Sequence, residues 1–175
     1  DLKDFKWVMD INFWGTVYGV NLFLENLLSR DEAHIVNISS ILGLMSLPGQ
    51  AAYNSSKAAI KGFTEALKME LTDTSVNVTC IHPGGVKTNI AIRAKTGKTI
   101  SKDNKEKLIS DFDKLSYTTS KSAAQQIVKG IKTNKRRIMI GIDAKIADLL
   151  VRVFPNNYEK IMGLEKRYKR YKNSK

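Results

Sequence analysis

The sequence predicts an open α/β fold: a parallel sheet with helices packed on both faces. Helix and strand patterns alternate along all 175 residues, with no internal repeat and no linker that would divide two domains. The strand segments "HIVNIS", "VNVTCI" and "RRIMIGI" are mainly apolar runs rather than strict apolar-polar alternations, as expected of strands covered on both sides. Three strands make a poor sheet, because open sheets of this kind usually have about six. The expectation is therefore an incomplete, doubly wound parallel sheet of about three strands and five or more helices, with an N-terminal part lying outside this sequence.

The elements follow in order. Residues 2 to 29 carry Val8, Ile11, Trp14, Tyr18, Leu22 and Leu28 at spacings of three, four or their sum, which describes one long helix with an apolar face. Phe13, Trp14 and Trp7 on it are read as core or subunit packing. "HIVNIS" is the first strand, and "SILGLMSLPGQAA" is a loop punctuated by Gly43, Pro48 and Gly49. The helix that follows, over residues 53 to 72, places Ile60, Phe63, Leu67 and Leu71 on one face. "VNVTCI" is the second strand, ended by "HPGG". The polar, Lys-rich segment from 88 to 116 is too long for a plain connection and reads as a lid or binding loop containing a helix. A helix over 120 to 133, capped by Ser120 or Ser122, leads to the third strand and then to a helix over 144 to 154 that stops near Pro155. Residues 1 to 155 are thus assigned to one domain, and 156 to 175 to a frayed basic tail.

Composition narrows the function classes. A hydrophobic fraction of 42% with 26% charged residues is that of an ordinary globular chain. The net charge of +12 suggests a polyanionic partner, yet residues 166 to 175 hold six basic groups and no acidic one, so half of the excess belongs to the tail. Nucleic-acid binding is therefore not favoured, and peripheral contact of the tail with an anionic membrane is the secondary expectation for that segment. Cys80 is the single cysteine, in an apolar run, which fits a reducing cytoplasm. No segment approaches the ~20 apolar residues of a membrane span.

In a doubly wound sheet, ligands bind beyond the carboxyl ends of the strands. Those ends are residues 37 to 40, 82 to 85 and 141 to 143. In "YNSSK", Tyr53 precedes Lys57 by one helical turn, so both side chains share a face beside Ser40. A phenol titrates near ~10, and a neighbouring ammonium favours its phenolate. Spacing alone does not single out this pair, since Tyr117/Lys121, Tyr168/Lys172 and Tyr171/Lys175 repeat it without a strand end nearby. Ser40 could hold an alcohol or carbonyl oxygen while Tyr53 transfers the proton. Hydride transfer, the other half of such a reaction, needs a nicotinamide.

"IVNISSILGLMSLPGQAAYNSSKAAIKGFTEALKMEL" followed by "VNVTCIHPGGVKT" resembles the short-chain dehydrogenase/reductase family, with a Rossmann-like fold, over most of residues 5 to 90. Ser40 lies thirteen residues before Tyr53, as in that family, and Asn12 in "INFWG" matches its helix Asn. The resemblance implies that Tyr53 is the general acid/base and that Lys57 lowers its pKa and binds the nicotinamide ribose. It implies that Ser40 orients the substrate and Asn12 binds a water of the proton relay. Pro83, Gly84, Val86 and Thr88 would approach the nicotinamide and phosphates of NAD or NADP. A small-molecule alcohol or carbonyl substrate follows, as does a homo-oligomer formed through helices 2 to 29 and 53 to 72. The family's "TGxxxGxG" turn, its "NNAG" segment and the residue that separates NAD from NADP are not in this sequence, so a non-catalytic remnant acting as a binding module is the alternative.

Other motifs are weaker. "GKT" at 97 to 99 imitates the end of a phosphate loop but has Ile92 where Gly is required. His34, Cys80 and His82 lack metal-ligand spacing, and no "GxSxG" elbow surrounds Ser40.

Overall fold

The structure is a computed structural model that describes residues 1–94 and 102–164, with the backbone alone for 102–104. The "GKT" motif and the basic segment 166 to 175 lie outside the described residues. The elements are α1 (Leu2–Met9), α2 (Gly15–Leu28), β1 (Ala33–Ile38), α3 (Ala51–Glu70), β2 (Val76–Pro83), β3 (Val86–Lys87), α4 (Ile90–Arg93), α5 (Lys102–Leu115), β4 (Thr118–Thr119), α6 (Ser120–Lys132), β5 (Arg137–Ile140), α7 (Ile142–Val153) and α8 (Tyr158–Ile161).

β1, β2 and β5 form a parallel sheet in that order, so β2 is central. The register pairs Ala33 with Val76 through Ile38 with Ile81, and Cys80 with Arg137 through Pro83 with Ile140. All three carboxyl ends therefore lie at one edge of the sheet. Helices cover both faces. Val20 of α2 and Leu67 of α3, with Leu71 just beyond, pack with Ala33, Ile35, Val76 and Val78 on one side. Ala123 and Ile127 of α6 pack with Val36, Ile81, Ile138 and Ile140 on the other. Ile60, Val76, Ile81 and Ile140 are at most 1% exposed, and each such side chain contributes about 1.5–3 kcal/mol of burial energy.

Several details depart from the sequence reading. The first helix is interrupted: Asp10–Trp14 form a π turn, and the Gly15 N–H bonds to the carbonyl of Asp10. Of the apolar residues that describe this helix, Ile11, Trp14, Tyr18 and Leu22 are exposed and lie outside the core, which leaves subunit packing as their reading, whereas Val20, Leu24 and Leu27 pack on the core. The cap of α6 is Thr119, whose hydroxyl accepts from the Ser122 N–H at 3.1 Å, in place of Ser120 or Ser122. β3 and β4, two residues each and parallel, were not anticipated and tie the turn after β2 to the start of α6. The chain past Pro155 is also packed, not frayed, as far as Leu164. Leu164 is 6% exposed beside Met45 and Ala147, and the Tyr158 hydroxyl accepts from the Ser46 N–H at 3.4 Å. Among the described residues no helix is long and apolar enough to cross a membrane.

Candidate active site

The site is built where β1 ends and α3 begins. Ser39 and Ser40 leave the strand in different directions. The Ser39 hydroxyl, 2% exposed, donates to the Lys57 carbonyl at 2.7 Å, while its N–H continues the sheet to the Ile81 carbonyl at 2.8 Å. Ser39 is thus a bolt between sheet and helix. Ser40 starts a short 3-10 turn (Ile41–Gly43), its hydroxyl accepting from the Leu42 N–H at 3.1 Å. The turn crosses α3 so closely that a Cβ on Gly43 would come within 2.6 Å of the Ser39 Oγ and 2.7 Å of the Lys57 carbonyl. Glycine is required there for the approach, not for an unusual dihedral.

α3 presents Tyr53 and Lys57 on one face, as the spacing predicts. The Lys57 Nζ stands 5.7 Å from the centre of the Tyr53 ring and donates to the Ile38 carbonyl at 3.0 Å. Ser56, between them and fully buried, donates to the Tyr53 carbonyl at 2.8 Å and receives the Asn12 side-chain amide at 3.0 Å. Asn12 reaches it from inside the π turn, where its own carbonyl accepts the Thr16 hydroxyl at 2.8 Å. π turns inside α-helices frequently occur at functional sites. Phe13, in the same turn, meets Phe63 of α3 edge-on at 6.4 Å and fixes the helix pair.

Burial sets the electrostatics. It pushes the Tyr53 phenol above its ordinary value, with a hydrogen bond to the Ser40 side chain pulling the other way. Burial likewise lowers the Lys57 ammonium, opposed by Cys80. The sequence reading expected Lys57 to lower the phenol. Instead the ammonium donates one of its protons to the Ile38 carbonyl, and the counterweight to burial is Ser40.

At the end of β2 the "HPGG" turn is held by its neighbours. Gly84 donates its N–H to the Ile140 carbonyl at 3.0 Å, and Gly85 donates to the Asp143 carboxylate at 2.6 Å. A Cβ on Gly84 would overlap that carboxylate. Val86 turns its side chain into the core with Ile81 and Ile138, so what it can offer a ligand is backbone. Thr88 is exposed, its hydroxyl accepting from the Ile90 N–H at 3.4 Å, which leaves its proton to donate. His82, directly before Pro83, is wholly buried, and its Nδ1 meets the Ser40 carbonyl at 3.1 Å. The two strand ends are therefore one structure.

Four of the residues singled out in the sequence, Asn12, Ser40, Tyr53 and Lys57, thus gather at the end of β1. Pro83, Gly84, Val86 and Thr88 lie at the adjoining end of β2, and a groove against β1 is lined by Asn12, Gly15, Gly19, Ile38 and Lys57 among others. Sequence reasoning missed Ser56, His82 and Asp143. Ser56 had a faint signal, one residue before Lys57 in "YNSSK". For His82 and Asp143 only their positions at strand ends pointed to them.

Parallel strands with a half-buried Tyr-Lys-Ser cluster at their carboxyl ends define an α/β protein of the dinucleotide-binding architecture. The chain belongs to the short-chain dehydrogenase family, whose model, described as "short chain dehydrogenase", matches residues 1–99. It is 37% identical over 167 residues to the putative oxidoreductase SadH of Mycobacterium tuberculosis, covering 93% of this chain and 59% of that protein. It is 31% identical over 169 residues to a dehydrogenase/reductase SDR family protein 7-like of Drosophila melanogaster, covering 93% of this chain and 48% of that one. Among solved structures it resembles a short chain dehydrogenase/reductase from Burkholderia phymatum in complex with NAD (TM-score 0.76, 26% identity, 87% of this chain and 58% of that one). A short chain dehydrogenase from Burkholderia cenocepacia in complex with NADP shares the fold (TM-score 0.73, 21% identity, 91% and 59%). The chain therefore spans about half to three fifths of the length of these curated relatives.

Proposed function

We propose that the protein carrying this chain is an NAD- or NADP-dependent oxidoreductase that interconverts a small-molecule alcohol and its carbonyl. The observation that carries the reading is the cluster at the end of β1: Tyr53 and Lys57 on one face of α3, Ser40 beside the phenol, and Asn12 joined to the same helix through Ser56. Tyr53 gives or takes the proton of the substrate oxygen, and Ser40 holds that oxygen with its hydroxyl. The Ser40 hydroxyl also favours the phenolate, offsetting part of the cost of burial. Asn12, braced by Ser56, carries the relay water beyond the phenol.

The residues present fit one end of a dinucleotide. The Lys57 ammonium lines the groove against β1 and can bind ribose hydroxyls, and Thr88 retains a proton for a phosphate oxygen. The Gly84 and Gly85 N–H groups are already used, so the turn offers carbonyls and close backbone approach. When bound, the nicotinamide supplies or accepts the hydride. NAD and NADP in two structurally similar proteins support this cofactor class for the protein. The exposed stripe Ile11, Trp14, Tyr18 and Leu22 supports a homo-oligomer through the α1–α2 and α3 helices, and the single buried Cys80 supports a cytoplasmic protein.

The test is turnover of full-length protein against a panel of small alcohols and ketones with each nicotinamide cofactor. Tyr53→Phe should abolish turnover while cofactor binding, followed by nicotinamide fluorescence, stays within about threefold. Unchanged turnover in Tyr53→Phe contradicts the assignment.

A further inference from the structure

His82 is a buried titratable group that this scheme leaves unused. It is 0% exposed on β2, with its Nδ1 at 3.1 Å from the Ser40 carbonyl. A carbonyl only accepts, so Nδ1 carries the proton, and full burial disfavours a second proton on Nε2, which keeps the ring neutral. Among the described residues that Nε2, itself buried, has no hydrogen-bond partner. An orphaned buried acceptor costs stability, and an apolar side chain of similar size would avoid the cost. The bond to Ser40 is what the imidazole supplies and an apolar residue could not.

That bond acts on a specific group. The Ser40 carbonyl also accepts the Gly43 N–H at 3.0 Å, and the Ser40 hydroxyl accepts the Leu42 N–H at 3.1 Å. With His82 included, the residue is fixed from both ends, which leaves its hydroxyl proton to be shared between Tyr53 and a bound oxygen. His82 also adjoins Pro83, the first residue of the turn assigned to the cofactor.

We infer that His82 is a positioning residue: its Nδ1–H holds the Ser40 carbonyl, sets the direction of the Ser40 hydroxyl, and links the substrate-orienting serine to the cofactor turn. The inference rests on the oxidoreductase reading for its kinetic consequence, whereas the imidazole–carbonyl bond itself can be observed without turnover.

Two measurements test it. Imidazole nitrogen NMR of the full-length protein, with signals assigned by substitution, should show His82 in the Nδ1–H tautomer. An Nε2–H tautomer overturns the inference whether or not the protein turns over. Kinetically, His82→Leu should lower kcat by about tenfold, the rate equivalent of one misaligned hydrogen bond, with cofactor affinity within about twofold. His82→Asn, whose amide N–H takes the place of Nδ1–H, should recover most of the loss and serves as the arm for the case in which His82→Leu fails to fold. In a Ser40→Ala background His82→Leu should cost nothing further. Additive losses, or no rescue by Asn, overturn the positioning role while leaving the oxidoreductase reading intact. Absence of turnover in the wild type refutes the oxidoreductase reading, and the tautomer still decides the His82–Ser40 bond.

Discussion

Acidification should expose the cost of keeping His82 neutral. Burial, the dominant cause, lowers its pKa from 6.5 to about 4, with Arg137 and Lys61 acting in the same direction and the Ser40 carbonyl and Asp148 opposing. Between those values the unfolded chain binds a proton that the folded chain refuses. Stability from this group is therefore fully present above about pH 6.5 and is lost as pH falls toward 4. The full difference is about 3 kcal/mol, of which roughly 2.5 kcal/mol has gone by about pH 4.5. Urea denaturation of wild type and His82→Asn at about pH 7 and about pH 4.5 measures it, because the carboxylates and His34 titrate in both proteins and cancel in the comparison. The wild type should lose more, its midpoint falling by about 1 M or more beyond the fall in the variant. Parallel losses would refute the reasoning.

Three further outcomes follow from the packing. Gly43→Ala should lower stability by about 1–3 kcal/mol, because its Cβ must push the 3-10 turn away from the Ser39 hydroxyl and the Lys57 carbonyl, and thermal melting reads the loss. Thr64→Val should cost about 1–3 kcal/mol by leaving the buried Asn37 amide, now bonded to the Thr64 hydroxyl at 3.1 Å, without its acceptor; a denaturation midpoint equal to wild type would contradict this. Leu22→Glu, on the exposed stripe of α2, should leave the fold unchanged but shift the full-length protein to smaller species in sedimentation velocity.

Much of the fold was legible because burial leaves a periodic trace. The three strands were read from apolar runs that need cover on both faces, and the inner face of α3 from Ile60, Leu67 and Leu71, which are buried as read. The order Ser40, Tyr53, Lys57 was legible as spacing, and the helix start beside a strand end set it apart from three identical Tyr/Lys spacings. Periodicity did not reveal which side of α2 packs, since Trp14, Tyr18 and Leu22 form as good a stripe as Val20, Leu24 and Leu27. The π turn inserts one residue without a compositional sign, and strands of two residues are too short to carry a period. The bonds from Asn12 to Ser56, His82 to Ser40 and Gly85 to Asp143 join residues 42 to 58 positions apart, so these partners meet only when the sheet assembles. The pKa shifts depend on the same assembly. A neighbouring ammonium suggested a lowered Tyr53, and burial reversed it.

The central claim is that Tyr53 completes a hydride transfer by handling the proton. Incubating full-length protein with NAD or NADP and alcohols deuterated at the carbinol carbon, then examining the nicotinamide by mass spectrometry, tests this directly. Deuterium should appear on the nicotinamide with the wild type and disappear with Tyr53→Phe. No label from the wild type, or undiminished label from the variant, would contradict the account.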